Sequence, residues 1–135
     1  MRLLIDANIL LDVLQKREPH YRDSVLIWKL CETEQAEGCV SALSIANLVY
    51  VMRKELTPDG IEEVLAKLSL IFSIIDLTPV DINKASEMRW TDFEDALQAV
   101  TADRIHADAI ITRNIRDFKK SRVIAFTPAE YLARI

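Results

Sequence analysis

Acidic and amide side chains occur at four widely separated places in this sequence, each beside a short apolar segment. They are Asp6, Asn47, the pair Asp92 and Asp95, and the pair Asn114 and Asp117. Carboxylates that converge in one cleft repel each other unless a cation neutralises them. Oxygen-only ligand sets suit hard ions such as Mg²⁺ or Mn²⁺, which can activate water and stabilise a leaving oxygen. If the fold brings these places together, the predicted chemistry is metal-dependent hydrolysis of a phosphodiester.

Each acidic residue also has a structural interpretation, and from the residues alone both interpretations stay open. Asp6 would serve as the N-cap of a following helix as readily as a metal ligand. Asp92 is a stronger N-cap candidate, and Asp95 in the first turn would be favoured by the helix dipole. Asp12 lies two turns into a predicted helix, where we expect a solvated face or a rim position. The case for a metal site therefore depends on the group.

A basic strip lies next to the last of these places, in the segment TRNIRDFKKSR at residues 112–122. Cationic side chains beside an acidic pocket would hold the phosphates of a strand that enters the site. We expect four of them to do so: Arg113, Arg116, Lys119 and Lys120. An ordinary solvated loop explains the same charges equally well.

Short apolar strands that alternate with helices are predicted to position these groups. The predicted strands are residues 3–5, 39–43, 73–77, 108–113 and 122–126. This alternation indicates an α/β protein with three α/β/α layers and a central, mainly parallel sheet of about five strands. In such sheets ligands bind beyond the carboxyl ends of the strands, which is where the acidic and amide side chains fall.

Three of the predicted helices begin with the same Thr-Pro signal, in which Thr is the N-cap and Pro the first helical residue. They start at TPDG (57–60), TPVD (78–81) and TPAE (127–130), and the last also forms a capping box. The other helices are predicted over residues 7–14, 44–56 and 92–104, and from Tyr21 to a stop at Gly38.

Length and composition favour a single domain over residues 1–135, since 135 residues suffice for one core. No apolar stretch approaches the roughly 18 residues that span a bilayer, and the N-terminus lacks a signal-peptide pattern. The two cysteines, Cys31 and Cys39, show no metal or redox spacing. We therefore expect a cytoplasmic protein without a membrane partner. The net charge of −4 argues against a broad basic nucleic-acid surface but not against a metal-dependent phosphodiesterase.

Four blocks of the sequence resemble the PIN domain, the nuclease fold of VapC-type toxin ribonucleases. They are LLIDANILLDVL, SALSIANLVYV, DFEDALQ and IITRNIRDF, in the order and spacing of that family. The resemblance implies an endoribonuclease that uses Mg²⁺ or Mn²⁺ to cleave single-stranded or structured RNA. It also implies a homodimer and a small antitoxin protein that blocks the site.

The resemblance assigns roles to individual residues. Asp6 and Asp95 match the metal-ligating acids, and Asp92 and Asp117 would assist them in catalysis. Supporting positions are matched by Asn8, Thr112 and Asn114. The family's second acid, usually Glu, aligns with Asn47, which offers an amide oxygen but no charge. Weaker ion binding, and one ion rather than two, is the expected result.

Two other functions remain open at the level of sequence. One is a catalytically weak or inactive PIN-like module that binds RNA or a protein partner. The other is a receiver-type signalling domain, which also places acids at strand ends. A receiver needs a phospho-acceptor Asp after its third strand, whereas Asp76 is predicted to lie inside residues 73–77.

Overall fold

A five-stranded parallel sheet organises the chain, which a computed structural model describes over residues 1–135. The strands are β1 (Arg2–Ile5), β2 (Glu37–Ser41), β3 (Ser73–Ile75), β4 (Ala109–Ile111) and β5 (Ala125–Phe126). Their order across the sheet is β3-β2-β1-β4-β5, and every neighbouring pair is parallel. The predicted three-layer α/β/α architecture is confirmed.

Seven α-helices and one 3₁₀ helix connect the strands. They are α1 (Ala7–Leu14), α2 (Tyr21–Glu32), α3 (Ala42–Val51), α4 (Pro58–Ile71), α5 (Pro79–Met88), α6 (Phe93–Arg104), the 3₁₀ helix Ile115–Phe118, and α7 (Pro128–Leu132). The three Thr-Pro starts are confirmed, and α5 as well as α7 begins with a complete capping box. None of the helices combines the length and the apolar character needed to cross a bilayer.

Helices cover both faces of the sheet because successive residues of a strand point to opposite sides. Leu3 and Ile5 of β1 pack into a core cluster with side chains of α1, α2, α3, α4 and α7. Leu4 points the other way and packs with Ala99 and Ala102 of α6. Because β1 is covered on both faces, Leu3, Leu4 and Ile5 are all apolar. Asp6 is the first residue after the strand, and it is polar.

Gly38 does not stop a helix, as the sequence pattern suggested, but lies inside β2, and α2 ends at Glu32. A Cβ at Gly38 would lie 2.7 Å from Cys31 Sγ and 2.7 Å from Phe72 Cδ1. The glycine therefore permits the close approach of α2 and Phe72 to the sheet. Its role is in packing, which a local sequence signal for helix termination cannot distinguish.

Several other element ends differ from the prediction. Helix α3 covers Ala42–Val51 instead of residues 44–56, and the last three strands are shorter than predicted. The placement of Asp76 inside a strand was wrong, because β3 ends at Ile75 and Asp76 follows it. Its carboxylate pairs with Arg104 of α6, with 3.1 Å between Oδ1 and Nη1. Because Leu77 is apolar, the strand pattern in the sequence continues two residues beyond the end of β3.

Candidate functional site

The candidate site lies where the strand order of the sheet reverses. Strands β2 and β3 lie on one side of β1, and β4 and β5 lie on the other. At such a switch point the connections diverge and leave a crevice at the carboxyl edge. Asp6 follows β1 and Thr112 follows β4, so both enter this crevice, and the Thr112 hydroxyl donates a 2.9 Å hydrogen bond to Asp6 Oδ2.

Asp6 occupies the N-cap position of α1, but its carboxylate makes no capping hydrogen bond. The side chain is instead held toward β4 by Thr112. Burial raises the pKa of the Asp6 carboxyl, and the Thr112 hydroxyl, the nearby Ala7 amide, Gln98 and the charge of Arg113 lower it without cancelling that rise. Asp6 therefore has the N-cap position that the capping interpretation predicts, but its carboxylate bonds to Thr112 in the crevice and not to the amides of α1.

Asp95 carries the most strongly perturbed carboxylate at this edge. Burial and the negative charges of Asp92, Asp117, Asp6 and Glu94 raise its pKa to about 7. Asp92 is the N-cap of α6, and its Oδ1 accepts a 3.1 Å hydrogen bond from the Asp95 backbone amide. The four predicted acids, one after β1, two at the start of α6 and one in the 3₁₀ helix, therefore lie close enough for their charges to affect Asp95. Their mutual repulsion calls for a proton or a cation.

Glu94 joins this acidic group, although sequence reasoning missed it. Asn47 Nδ2 of α3 donates a hydrogen bond of 3.3 Å to Glu94 Oε2 of α6. The bridge places a carboxylate beside position 47, where residue 47 itself is uncharged. Two adjacent acids in the block DFEDALQ were the available signal, because the carboxylate of either one could reach the site.

A buried chain of hydrogen bonds holds α3 against α6 beneath the acids, and it too was missed. Gln98 Nε2 donates to Ser44 Oγ at 2.7 Å, and Ser41 Oγ donates to Ser44 Oγ at 3.1 Å. Gln98 also lowers the pKa of the Asp6 carboxyl. Gln98 follows Asp95 by three residues, which places both on one face of α6. This spacing of three residues was the sequence signal that could have identified Gln98.

Asp12 is completely buried, so its prediction as a solvated or rim residue was wrong. Its Oδ2 accepts a 3.1 Å hydrogen bond from Ser24 Oγ of α2 and lies 3.4 Å from Arg113 Nε. The reason is tertiary, because α2 packs over the face of α1 that carries Asp12. One cation of the basic strip, predicted to bind RNA, therefore faces a buried acid of the protein.

The remaining predicted residues lie at the rim of the crevice. Asn8 is a partly exposed residue in the first turn of α1. Asn114 is exposed, and its backbone amide donates a 3.1 Å hydrogen bond to Thr112 Oγ1. Three of the predicted cations line a cavity of about 420 Å³ that also reaches Asp92, Asp95 and Asp117. They are Arg116, Lys119 and Lys120.

The chemistry of the donors fits a hard divalent ion, although no three His, Cys, Asp or Glu side chains converge closely enough to hold a metal by themselves. Mg²⁺ is usually held by one or two carboxylates together with waters and substrate phosphates. Asp6 and Asp95 meet that requirement, and a cation bound by them would relieve the repulsion that, together with burial, raises the pKa of Asp95.

Solved structures of toxin proteins share this architecture. The chain is similar to a toxin–antitoxin complex from Klebsiella pneumoniae, with a TM-score of 0.72 and 21% identity over 93% of this chain and 97% of that chain. VapBC2 from Rickettsia felis, bound to a DNA fragment from its promoter, gives a TM-score of 0.70 and 20% identity over 94% and 98%. Mycobacterium tuberculosis VapC20, a sarcin-ricin loop cleaving toxin, gives 0.64 and 11% over 80% and 86%. At these identities the likeness establishes the fold.

The family model of the PIN domain matches residues 2–116. The chain therefore belongs to the PIN domain family, and the resemblance of its four sequence blocks is confirmed. No curated protein sequence gives a significant match. The receiver-type alternative is not supported. Asp76 follows β3, but β3 is an edge strand separated from β1 by β2, and Asp76 is paired with Arg104.

Proposed function

We propose that this protein is a metal-dependent endoribonuclease that hydrolyses RNA phosphodiester bonds and acts as the toxin of a toxin–antitoxin pair. The observation that carries the proposal is the group of carboxylates around Asp95, whose repulsion adds to burial and raises the pKa of Asp95 to about 7. Carboxylates perturbed by burial and by like charges in a crevice are typical of functional sites, and a cation would neutralise them. Membership of the PIN domain family supports nuclease activity in general.

Asp6 and Asp95 are the residues that would hold Mg²⁺ or Mn²⁺. When bound, such an ion polarises a phosphoryl oxygen and makes a coordinated water a better nucleophile. Asn47 contributes a neutral amide oxygen, and Glu94, bonded to Asn47 Nδ2, contributes the negative charge that residue 47 lacks. Because only one of these two side chains is charged, one metal ion is favoured over two.

Other residues orient the acids and the RNA. Thr112 holds the Asp6 carboxylate by its 2.9 Å hydrogen bond, so that the carboxylate does not turn to cap α1. Asp92 and Asp117 add negative potential for the ion. The exposed cations of the strip bind the phosphates that flank the scissile bond, since they border the acids without neutralising them. These cations are Arg116, Lys119 and Lys120.

The decisive experiment is cleavage of labelled RNA by purified protein in Mn²⁺, in Mg²⁺ and in EDTA. We expect Asp6→Asn to lower kcat/KM by about 100-fold or more, because even the loss of a group that only orients a metal ligand costs about 10- to 100-fold. Asp59→Asn is the matched control, since Asp59 is an exposed acid in the first turn of α4. Equal cleavage in EDTA, or unchanged cleavage by Asp6→Asn, would refute the proposal.

A second candidate is a catalytically weak or inactive module that binds RNA or a protein. Asn47 in place of an acid and the lack of three converging ligands favour it. Calorimetric titration with Mn²⁺ separates the two candidates. Binding that is lost in Asp6→Asn supports the nuclease, whereas no binding at millimolar Mn²⁺ supports the module.

An antitoxin partner and a homodimer are further parts of the proposal. The structural neighbours from Klebsiella pneumoniae and Rickettsia felis are toxin–antitoxin complexes, and this chain shares their fold. Light scattering of the purified chain tests for the dimer. Co-expression with a neighbouring small open reading frame, followed by loss of RNA cleavage in the complex, tests for the antitoxin.

A further inference from the structure

A cavity of about 420 Å³ lies between the turn that joins α5 to α6 and the segment that follows β4. We call it the Trp90 pocket. Arg89 and Trp90 form one wall, Lys119 and Lys120 form the other, and Asp95 lies at the end that meets the acidic group. The pocket is thus continuous with the site of the proposed reaction, and its volume lies within the range of ligand-binding cavities.

Trp90 is held in place and still partly exposed. Its ring meets Phe118 edge to face, with 6.2 Å between centroids and an interplanar angle of 74°. It also packs against the apolar clusters that contain Ala99 and Ala85. Because the ring is only partly buried and lines the pocket, it offers aromatic surface whose orientation is already fixed before any ligand binds.

The backbone at Arg89 explains why the indole reaches this wall. Arg89 ends α5 in the left-handed conformation, with φ 54° and ψ 36°. The chain therefore reverses at once, and only Trp90 and Thr91 separate it from Asp92, the N-cap of α6. The short turn places an aromatic ring immediately beside the first acids of the site.

The pocket is lined by charges of both signs. Its cations, Arg89, Arg116, Lys119 and Lys120, suit phosphate oxygens, whereas Asp92, Asp95 and Asp117 repel them. A ligand that fits this lining carries negative charge on one part and an uncharged, planar group on another. A nucleotide within a nucleic-acid strand has that character, and an aromatic side chain beside a basic groove is the usual platform for a base.

We propose that the Trp90 pocket binds one base of a single-stranded RNA, stacked on the indole, next to the phosphodiester that reaches Asp6 and Asp95. The identity of the strand as RNA rests on the proposed function. The pocket selects an unpaired nucleotide, because a base within a duplex cannot lie against the ring.

Binding of a 5′-labelled single-stranded RNA, followed by fluorescence anisotropy in EDTA at low salt, tests this pocket without hydrolysis. We expect Trp90→Ala to weaken binding by about tenfold, because base stacking contributes roughly 1–3 kcal/mol. Trp90→Phe should stay within about threefold, since it keeps an aromatic face. Tyr50→Ala is the matched control, because Tyr50 is an exposed aromatic residue that does not line the pocket.

Abasic substitutions in the RNA provide a readout that does not depend on the stability of the variants. One abasic position should weaken RNA binding by the wild-type protein as much as Trp90→Ala does. The same abasic position should cause no further loss of binding in the Trp90→Ala variant. Equal affinities of wild type and Trp90→Ala would overturn the inference. So would the absence of RNA binding, or abasic losses that are the same in both proteins at every position.

The outcomes also separate this inference from the proposed function. Trp90-dependent RNA binding without cleavage in Mn²⁺ would support the pocket and refute the endoribonuclease. Cleavage in Mn²⁺ with unchanged binding by Trp90→Ala would support the endoribonuclease and overturn the pocket.

Discussion

Asp81 and Asp95, two acids near the starts of neighbouring helices, have opposite electrostatic environments. Burial pushes the pKa of Asp81 upward, but hydrogen bonds from Thr78 and the Arg104 guanidinium outweigh it and hold that pKa below its usual value. At Asp95, burial acts in the same direction as four neighbouring acids, and the pKa rises to about 7. Both carboxylates lose water, yet only Asp81 receives a cation from the protein.

The difference distinguishes an acid that stabilises the fold from an acid that awaits a ligand. Asp81 Oδ1 lies 2.9 Å from Arg104 Nε, and Asp81 Oδ2 accepts a 3.0 Å hydrogen bond from the Thr78 amide. The first contact ties α5 to α6, and the second caps α5. Asp12 lies between the two cases, since it is fully buried, faces Arg113 at 3.4 Å and keeps one oxygen, Oδ1, without a partner.

The largest effect is expected from removal of the cation at Asp81. Arg104→Ala leaves a carboxylate that is only 1% exposed without its guanidinium. Breaking a buried pair in this way costs about 3 kcal/mol of unfolding free energy. Urea denaturation at neutral pH measures the loss. A loss below about 1 kcal/mol, the range of exposed pairs, would show that Asp81 does not depend on Arg104.

A smaller effect is expected at Asp12, where the ion pair is longer. Arg113→Ala should lower the unfolding free energy by about 2 kcal/mol, less than the roughly 3–5 kcal/mol for a buried pair, because Arg113 is partly exposed and 3.4 Å from Asp12 Oδ2. Asp12→Asn in the same chain should recover part of that loss, because the amide carries no charge. A double-mutant cycle from urea denaturation gives the coupling energy. Additive losses would mean that the two side chains do not interact.

The smallest effect, and of opposite sign, is expected at Asp95. In EDTA at pH 8, Asp95→Asn should raise the unfolding free energy by less than about 1 kcal/mol, since partly exposed charges are screened. The folded pKa of about 7 lies above the unfolded value. Between pH 4 and pH 7, Asp95 therefore binds more protons in the folded state than in the unfolded state. The stability of the wild type falls as pH rises from about 4 to about 7.

Thermal melting of both proteins in EDTA across this pH range checks the sign. The wild type and Asp95→Asn should melt at similar temperatures at pH 4 and separate as pH rises, with the variant the more stable. Addition of Mn²⁺ at pH 8 should reverse the order, because only the wild type keeps the ligand. A wild type that gains stability between pH 4 and 7 relative to the variant would contradict this account of Asp95.

Local signals predicted what depends on local structure. The Thr-Pro caps, the parallel sheet and the arrival of Asp6 at its carboxyl edge follow from short sequence patterns together with the geometry of parallel sheets. Thr112 was identified by the family resemblance, since the local pattern placed it inside the fourth strand. The roles of Gly38 and Asp12 depend on which helix packs against which face. That information lies in contacts between distant segments, so both predictions were wrong.

Glu94 shows the same limit within the site itself. Its place beside Asn47 requires α3 and α6, which are far apart in sequence, to lie next to each other at the same edge. Family resemblance identified the position that lacks an acid, but only the packed structure shows which neighbouring carboxylate lies beside it.

The central place of β1 has a consequence for how the protein folds. This strand pairs with β2 and with β4, and the bond between Thr112 and Asp6 joins residues 106 positions apart. Contacts of such long range require the closure of a large loop before they add stability, and they slow folding. Chain segments emerge from the ribosome in order, so Asp6 is made 106 residues before Thr112, the residue that orients its carboxylate.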